Sequence, residues 1–452
     1  MPVPHGRQPA RGGAAVLLFV LSLPCVSMTA CSTAGPAAPR AYEYAVPFGQ
    51  TFDLAAGRVL TEGDEARRFA GPAAPRLVFL GEQHSDPRSQ AFQARFLRAL
   101  AAQGHAVTVA LEMFSPQADG ALEEWRQGRL EEADFVEQSR WYETWGFPWT
   151  AYRPLFEAIR DARLPAHGVN VDEATRKAVR ESPAGDMPPE LAAEIGVLDL
   201  TVVPHRDYFL DSLAGAGGRA PAHASRQAPE EPAFQRMQRI QVLWDTAMGV
   251  RAARLAEAAP PGGVVVAILG SGHVAHGLGA NLRAARVSAL PRLTVWDEVV
   301  PKEAADASGR VRVPLGVADW VRVYPQDDTL PDTPSLAGIK LAADPAGVRI
   351  EAVRPPGPSG RQPADGTGRR PADGTVQRPA DGTGLRPADD ARAVFQVGDI
   401  VQVLQGEPVA SPARLRLRVE ALPWDRPAEA TVLRGGAPVH LAFTPRRPVS
   451  AP

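Results

Sequence analysis

A run of residues that are apolar at every position, from Leu77 to Leu80, ends abruptly in Gly81, Glu82 and His84. Strands buried on both faces of a parallel sheet are apolar throughout, whereas half-exposed strands alternate. The run therefore predicts a buried strand with a carboxylate and an imidazole at its carboxyl end.

The residues that follow predict a helix directly after this strand. Asp86 is suited to the N-cap, Pro87 to the first helical position and Gly104 to the end of the helix. The buried stripe comprises Phe92, Phe96 and Leu100. The positive end of this helix would point at Glu82 and His84, a setting that favours an anion or a metal-bound carboxylate.

Three further apolar runs end in polar residues in the same way. They are Val264 to Leu269 before Gly270 and His273, Val107 to Leu111 before Glu112, and the residues around Val169 before Asn170 and Asp172. Ligands of an open parallel α/β sheet bind outside the carboxyl ends of its strands. We therefore expect the four strand ends to converge on one crevice.

An aromatic-rich interval after Glu112 predicts a helical insertion. Trp141, Trp145 and Trp149 are spaced by four residues, but a glycine and a proline between them interrupt any single helix. The favoured interpretation is a satellite core rather than a ligand cage. An aromatic surface beside a polar crevice is nevertheless what a flat macrocycle would need.

A long amphipathic helix is predicted from Pro232, after a stretch rich in proline, glycine and alanine that begins at Ala214. Asp245 lies beside its apolar stripe. This carboxylate is either solvated at the edge of that face or reaches the crevice to support a ligand. His205 could also reach the site, and it ranks below the two G-x-x-H histidines.

The last part of the chain predicts a sheet edge, a boundary and a second domain. Leu293 to Trp296 predicts the last strand of the sheet, and Asp319 to Tyr324 an alternating edge strand. Pro325 to Pro334 is typical of a domain boundary. Short apolar runs and one helix, Pro412 to Leu422, follow. A four-fold octad repeat from Arg361 to Arg392 interrupts them and predicts a mobile loop.

Composition and the chain start narrow the class of protein. The chain has 452 residues, 44% of them hydrophobic, and its 49 basic and 51 acidic residues leave no electrostatic footprint for nucleic acid. An apolar core from Ala14 to Leu23 predicts a secretory signal. Met28-Thr-Ala-Cys31 resembles the bacterial lipobox, which implies cleavage before Cys31 and its lipidation. The alternative is a cleaved signal without a lipid.

The candidate site contains imidazole and carboxylate but no thiolate, because Cys25 would be removed with the signal. These donors suit zinc, manganese or iron, with His84, His273, Glu82 and Glu112 as candidate ligands. A bound cation could lower the pKa of a water toward about 7, with either glutamate as ligand or base. The crevice could also bind without turnover. The weakest interpretation is that both histidines merely cap turns, since two G-x-x-H units each follow a purely apolar strand.

The chain contains six motifs in order: Gly81-Glu-Gln-His84, Leu111-Glu-Met-Phe114, Trp149-x-x-Tyr152-x-Pro154-Leu155-Phe156, Gly168-Val-Asn170, Trp244-Asp-Thr-Ala-Met248 and Gly270-Ser-Gly-His273-Val274. Over about Leu77 to Val299 this set resembles the ChaN lipoproteins of the haem-binding-uptake and Tiki superfamily. The resemblance implies a haem-binding or iron-regulated lipoprotein, or a metal-dependent protease or hydrolase. It implies Glu82, His84, Glu112 and His273 as the superfamily site.

The same resemblance implies a tyrosine ligand for haem iron at a dimer interface. The candidates in this chain are Tyr142, Tyr152 and Tyr208.

Two short motifs mark the C-terminal part: Val397-Gly-Asp-Ile400, and the turn Gln405-Gly406. With Ser335-Leu-Ala-Gly338 ahead of them, they resemble a PDZ domain. PDZ domains bind chain termini by strand addition while main-chain amides hold the carboxylate. The resemblance implies a carboxylate-binding loop at Leu336, Ala337, Gly338 and Ile339. A packing module without a ligand is the alternative.

The sequence thus predicts an α/β fold, with a mostly parallel sheet flanked by helices and a helical insertion, followed by a small mainly-β PDZ-like domain. The expected boundaries are a signal at 1–30, a tether at 31–40, the α/β domain at 41–325 and the β domain at 335–445, with a disordered insertion at 358–392. We expect a haem- or iron-binding lipoprotein of the bacterial cell envelope, anchored at the outer membrane through Cys31.

Asn170 and Asp245 are expected to support the ligands of this site. Candidate partners are the membrane, peptide C-termini and a second copy of the chain, with no nucleic acid. The alternative function is a metal-dependent hydrolase or peptidase that recruits peptides through its PDZ-like domain.

Overall fold

The computed structural model describes residues 43–182, 186–215, 232–327, 329–330, 333–336, 338–353, 391 and 394–445. The signal, Cys31, the tether, the octad repeats before residue 391, most of the stretch that begins at Ala214, and Ala337 lie outside the described residues. Within the described part of the chain, no helix is long and apolar enough to cross a membrane.

The α/β region extends from Glu43 to Pro325 and contains both strands and helices. The strands of the α/β region are β1 (Glu43–Pro47), β2 (Phe52–Asp53), β3 (Arg58–Val59), β4 (Leu77–Glu82), β5 (Val107–Leu111), β6 (Ala166–Gly168), β7 (Val264–Gly270), β8 (Arg292–Val300), β9 (Arg310–Pro314) and β10 (Trp320–Pro325). Its helices are α1 (Glu62–Arg67), α2 (Pro87–Ala102), α3 (Asp119–Arg126), α4 (Glu132–Gln138), α5 (Trp141–Thr144), α6 (Trp149–Asp161), α7 (Glu173–Glu181), α8 (Pro189–Ile195), α9 (Val203–Gly215), α10 (Pro232–Ala258) and α11 (Ala280–Val287).

The central sheet has eight strands in the order β3-β2-β10-β8-β4-β7-β5-β6. Pairing is parallel from β10 through to β6, and the short strands β2 and β3 are antiparallel at one edge. Strands β4 and β7, at the centre, are buried at every position. The predicted α/β fold is confirmed, with a mixed sheet flanked by helices.

The two faces of the sheet bury different cores, because successive side chains of a strand point to opposite faces. Val78 and Leu80 pack into a core that includes the aromatic interval between α3 and α6. Leu77 and Phe79 pack on the other face against α10 and α11. Helix α2 begins as predicted, since the Asp86 side chain accepts the Arg88 amide and Pro87 occupies the first helical position.

One edge of the sheet was predicted wrongly. Strand β8 continues to Val300 instead of ending near Trp296, and it is not the last strand of the sheet. Strand β10 is not an edge, because it pairs with β8 on one side and with β2 on the other, and its first five residues are buried. The covering core comes from distant residues, including Val46 and Val311. Local alternation cannot reveal such a cover.

The C-terminal region forms a small antiparallel β domain. Its elements are β11 (Ile339–Asp344), β12 (Gly347–Val353), β13 (Ile400–Leu404), β14 (Glu407–Pro408), α12 (Pro412–Glu420), β15 (Ala428–Arg434) and β16 (Ala437–Phe443). The sheet order is β11-β12-β13-β15-β16, with β14 paired to β13. Ser411 caps α12 by accepting the Arg414 amide. Phe395 and Phe443 are among the residues of its core.

Candidate functional site

The register of the central strands brings the two G-x-x-H turns together. Glu82, the last residue of β4, is the partner of Gly270, the last residue of β7. On the other side of β7, the Glu112 amide donates to the Ile268 carbonyl at 3.1 Å. Both histidine turns and Glu112 therefore start at one level of the sheet, at its carboxyl edge.

Glu82 is a buried carboxylate, and each of its two oxygens accepts hydrogen bonds from two donors. Its Oε1 accepts hydrogen bonds from His84 Nδ1 at 2.9 Å and from the Tyr152 hydroxyl at 2.8 Å. Its Oε2 accepts from the side-chain amides of Gln90 and Gln93, each at 2.9 Å. Two donors on each oxygen use its four lone-pair positions. Glu82 therefore holds His84 in place, and its role as a metal ligand or catalytic base would require the loss of these bonds.

The Glu82 contact also determines which nitrogen of His84 is available. Because a carboxylate can only accept, the hydrogen lies on Nδ1 and the lone pair of a neutral imidazole lies on Nε2. This arrangement, with a carboxylate behind the ring, is the one that orients histidine ligands of metal centres. The side chain of His84 is 18% exposed, whereas that of Glu82 is fully buried. His84 is thus the open member of this pair.

Aromatic rings and a glycine surround His84. The indole of Trp145 meets its ring edge-to-face with centroids 4.7 Å apart, and the Phe147 ring lies at 5.3 Å. A Cβ on Gly270 would lie 2.8 Å from Cε1 of His84 and 3.0 Å from Nε2. The absence of a side chain at Gly270 is therefore what leaves room for the imidazole.

His273 lies deeper, between two carboxylates. Its Nδ1 donates to Asp245 Oδ1 at 2.7 Å, and its Nε2 lies 3.3 Å from Glu112 Oε1. Burial disfavours the charged imidazole, but the two carboxylates outweigh that effect and raise the pKa of His273 to about 10. His273 is therefore an imidazolium whose two N–H groups are both engaged.

Glu112 connects the two histidines. Its Oε2 accepts the Gly270 amide at 2.5 Å. Burial opposes its ionisation, yet the charge of His273, with smaller contributions from His84 and the Gly270 amide, holds the pKa of Glu112 down at about 2. The carboxylate is therefore ionised at neutral pH, and both histidines act on it.

Asp245 reaches the site, which resolves the two alternatives for this residue. The side chain is fully buried and also accepts a hydrogen bond from His205 Nε2, at 2.9 Å. His205 Nδ1 in turn accepts from Arg283 at 3.2 Å, since a guanidinium can only donate. His205, which the sequence ranks low, is thus part of a buried chain from Arg283 to Glu112. Burial opposes the charge of Asp245, but His273 and His205 lower its pKa to about 2.

Asn170 supports the backbone rather than a ligand. Its amide group donates to the Glu112 carbonyl at 3.1 Å, and its side-chain oxygen accepts the Val171 amide at 2.8 Å. The residue therefore braces the turn that carries Glu112.

The structure places the three tyrosine candidates in different surroundings. The hydroxyls of Tyr142 and Tyr152 donate to Glu420 at 2.6 Å and to Glu82 at 2.8 Å, and both rings are buried. Burial and these carboxylates raise the pKa of both phenols well above 10. Both hydroxyls are therefore held as hydrogen-bond donors to buried carboxylates. Tyr208 is half-buried beside His276, and burial, followed by nearby acids, raises its pKa to about 12.

The donor atoms of these residues can be compared with those that a metal ion or haem would need. Among the described residues, no group of three or more His, Cys, Asp or Glu side chains is arranged to hold a metal ion. Haem would need only one donor atom from the protein, because the porphyrin supplies four nitrogen ligands to its iron. His84, oriented by Glu82 beside two aromatic rings, is a donor of that kind.

In the C-terminal domain, the expected carboxylate-binding loop is mostly closed on itself. Leu336 and Ile339 are buried, and Gly338 has a positive φ of 79°. The Ile339 amide donates to the Leu336 carbonyl at 3.0 Å, so this amide is not directed at a ligand.

Several contacts in this site were not predicted from the sequence. Gln90 and Gln93, which hold Glu82, are separated by one helical turn on the predicted helix α2, and this spacing was an available signal. Nothing local marks His205 as a partner of Asp245, because the two lie 40 positions apart and on different helices.

Comparisons with known proteins agree with the α/β part of this description. Residues 71–283 match the family model described as haem-binding uptake, Tiki superfamily, ChaN. The expected resemblance is confirmed for that stretch. No curated protein matches the chain.

Solved structures of three kinds are similar at low identity. A structure of cofacial haem binding to ChaN of Campylobacter jejuni is 15% identical, with a TM-score of 0.45 over 60% of this chain and 95% of that one. A mutant of the erythromycin esterase EreC is 13% identical, with a TM-score of 0.32 over 60% and 83%. The HtrA-type protease AlgW with a decapeptide is 15% identical, with a TM-score of 0.16 over 32% and 40%.

Proposed function

We propose that this protein binds haem at the carboxyl edge of its sheet, where His84 would hold the iron. The observation that carries the proposal is the pair of Glu82 and His84, in which a saturated carboxylate holds Nδ1 and leaves Nε2 as the coordinating nitrogen. The family description of residues 71–283 supports haem as the bound molecule. A role in haem or iron uptake is the finer part of the proposal.

Each neighbouring group has a separate task in this proposal. Glu82 orients the imidazole, Trp145 and Phe147 offer apolar surface to a flat ring, and Gly270 leaves room for the imidazole ring. Bound haem would supply an iron centre with four porphyrin nitrogens. Glu112 and His273 contact each other, and we assign both a structural role beneath the proposed haem site.

Haemin titration of the purified full-length protein tests the proposal. We expect a sharp Soret band for the native protein and its loss in His84→Ala. Glu82→Gln should weaken haemin binding by about 10- to 100-fold, since orienting carboxylates contribute this much to ligand affinity. His440→Ala is the matched control, because this imidazole is exposed in the C-terminal domain. A free-haemin spectrum in the native protein, or equal losses in both histidine variants, would refute axial ligation by His84.

The cellular place of the protein is a further part of the proposal. We propose that the chain is anchored by a lipid on Cys31 at the outer membrane of a bacterial envelope, on the basis of Met28-Thr-Ala-Cys31. Metabolic labelling with a fatty-acid analogue should mark the native chain and leave Cys31→Ser unlabelled. If the Cys31→Ser variant is still labelled, lipidation at Cys31 is contradicted.

For the C-terminal β domain, we propose recognition of peptide carboxyl ends in the manner of a PDZ domain. Strand β11 supports this, because in the described residues it pairs only with β12 and so leaves one edge open beside α12. Fluorescence anisotropy should show binding of a peptide with a free carboxyl end and loss of binding when that end is amidated. Equal binding of both peptides would contradict the proposal.

A further inference from the structure

A short segment of the aromatic insertion covers His84. Residues 140–149, here called the aromatic strap, start at Arg140 with a left-handed φ of 56° and turn again at Gly146 with a φ of 82°. Between these turns and just after them, the strap carries Trp145 and Phe147, whose rings contact His84. The strap therefore covers one side of this imidazole.

The strap is held to the α/β domain mainly at Trp141 and Trp149, which are fully buried. It contains the short helix α5, and Trp141 stabilises it by donating from its indole nitrogen to the Phe147 carbonyl at 2.7 Å. Trp145 and Phe147 are only half-buried. The two rings that contact His84 are therefore the part of the strap whose position depends most on contacts from outside it.

Those outside contacts come from the C-terminal domain. Glu420, near the end of α12, accepts the Tyr142 hydroxyl at 2.6 Å. Its other oxygen accepts the Thr150 amide at 3.1 Å and the Thr150 hydroxyl at 3.2 Å. Tyr142 lies within the strap and Thr150 directly after it. One carboxylate thus ties both ends of the segment that carries Trp145.

The contact is a built interface rather than one isolated bond. Arg414, one and a half turns earlier on α12, pairs with Glu137 at 3.0 Å and also with Asp134, both on α4. Ala413 and Leu417 of the same helix pack into the aromatic core of the α/β domain. Tyr142 and Glu420 are 2% and 7% exposed, so water competes little for their hydrogen bond.

We infer that Glu420 is a positioning residue for the His84 site: the C-terminal domain, through this carboxylate, sets the aromatic strap against His84 and so completes the crevice. The consequence for haem affinity rests on the proposed function, whereas the effect on access to His84 does not. The chemistry of the crevice is then shared between two parts of the chain that are about 270 residues apart.

The reactivity of His84 toward diethyl pyrocarbonate tests this inference directly. The reagent acylates accessible neutral imidazoles, and peptide mass spectrometry reports the rate at each histidine of the full-length protein. We expect the rate at His84 to rise about 5- to 30-fold in Glu420→Ala, which loses three hydrogen bonds, and about 2- to 10-fold in Tyr142→Phe, which loses one. His440, in the C-terminal domain, is the internal reference and should be unchanged.

Two controls separate positioning from damage. Glu429→Gln changes an exposed carboxylate of the same domain and should leave the His84 rate unaltered. Tyr142→Phe keeps the ring in the core and alters only the hydroxyl, so it decides the matter if Glu420→Ala fails to fold. Unchanged His84 reactivity in Tyr142→Phe would overturn the inference.

Haemin titration of the same variants adds the link to function. We expect weaker binding and a shifted Soret band in Glu420→Ala, with native behaviour in Glu429→Gln. If the native protein does not bind haemin, the proposed function fails, and the acylation rates still decide whether Glu420 positions the strap.

Discussion

Substitution of Gly270 by alanine is the sharpest test of the site geometry. The backbone at Gly270 has φ −56° and ψ 141°, which alanine adopts without strain. The added Cβ, however, would lie 2.8 Å from Cε1 of His84 and 3.0 Å from Nε2, closer than these atoms can approach. We expect the imidazole to be displaced and its hydrogen bond to Glu82 to break.

The magnitude follows from the bond that is lost. A hydrogen bond to a charged group contributes about 1.5–3 kcal/mol, and alanine returns about 0.4–1 kcal/mol by restricting the unfolded chain. We therefore expect the free energy of unfolding to fall by about 1–2 kcal/mol, which urea denaturation can measure. Haemin affinity should fall by at least about ten-fold, because the oriented ligand nitrogen is gone.

Gly272 provides the matched control. It lies in the same G-x-x-H turn, and a Cβ at this position would meet nothing within 4 Å. Gly272→Ala should keep native stability and native haemin binding. If Gly270→Ala behaves like Gly272→Ala in both measurements, the close packing of His84 against Gly270 is wrong, and with it our reason for a glycine at this strand end.

Two further predictions concern buried acids. Asp297 is fully buried, and burial raises its pKa to about 7. An acid with a raised folded pKa favours the protonated form, so stability should fall as the pH rises from about 4 to about 7, by up to about 1.4 kcal/mol per pH unit; Asp297→Asn should flatten that slope in urea titrations. Asp245→Asn should lower the pKa of His273 from about 10, seen by NMR, and destabilise the fold by about 3–5 kcal/mol.

Distinct outcomes would contradict these two predictions. An Asp297→Asn variant whose stability still declines over the same pH window would show that another group titrates there. If the pKa of His273, measured from its NMR resonance, stays high in Asp245→Asn, Glu112 alone is sufficient to stabilise the charged imidazole.

Local patterns in the chain were enough for the central strands and for the helix that follows β4. The continuous apolar runs at β4 and β7 mark strands buried on both faces, the mainly apolar run at β5 marks a third strand, and Asp86 with Pro87 marks the start of α2. Patterns failed at β10, which alternates in sequence but is covered on both sides.

The sequence predicted which side chains lie at the strand ends, but it did not predict the role of each one. Glu82 and Glu112 looked alike as candidate ligands or bases. The structure makes Glu82 the holder of His84 and Glu112 the partner of the His273 imidazolium. Hydrogen-bond saturation depends on donors from α2 and α6 that no short window of sequence contains.

Short-range periodicity and turn chemistry were sufficient to predict the central strands, the residues at their carboxyl ends and the two G-x-x-H turns. The exposure of His84, the enclosure of His273 and the contact of Glu420 with the strap could be seen only in the folded chain. Those assignments depend on burial and on contacts between residues far apart in the chain, where the free energy of a charge is set by its neighbours in space.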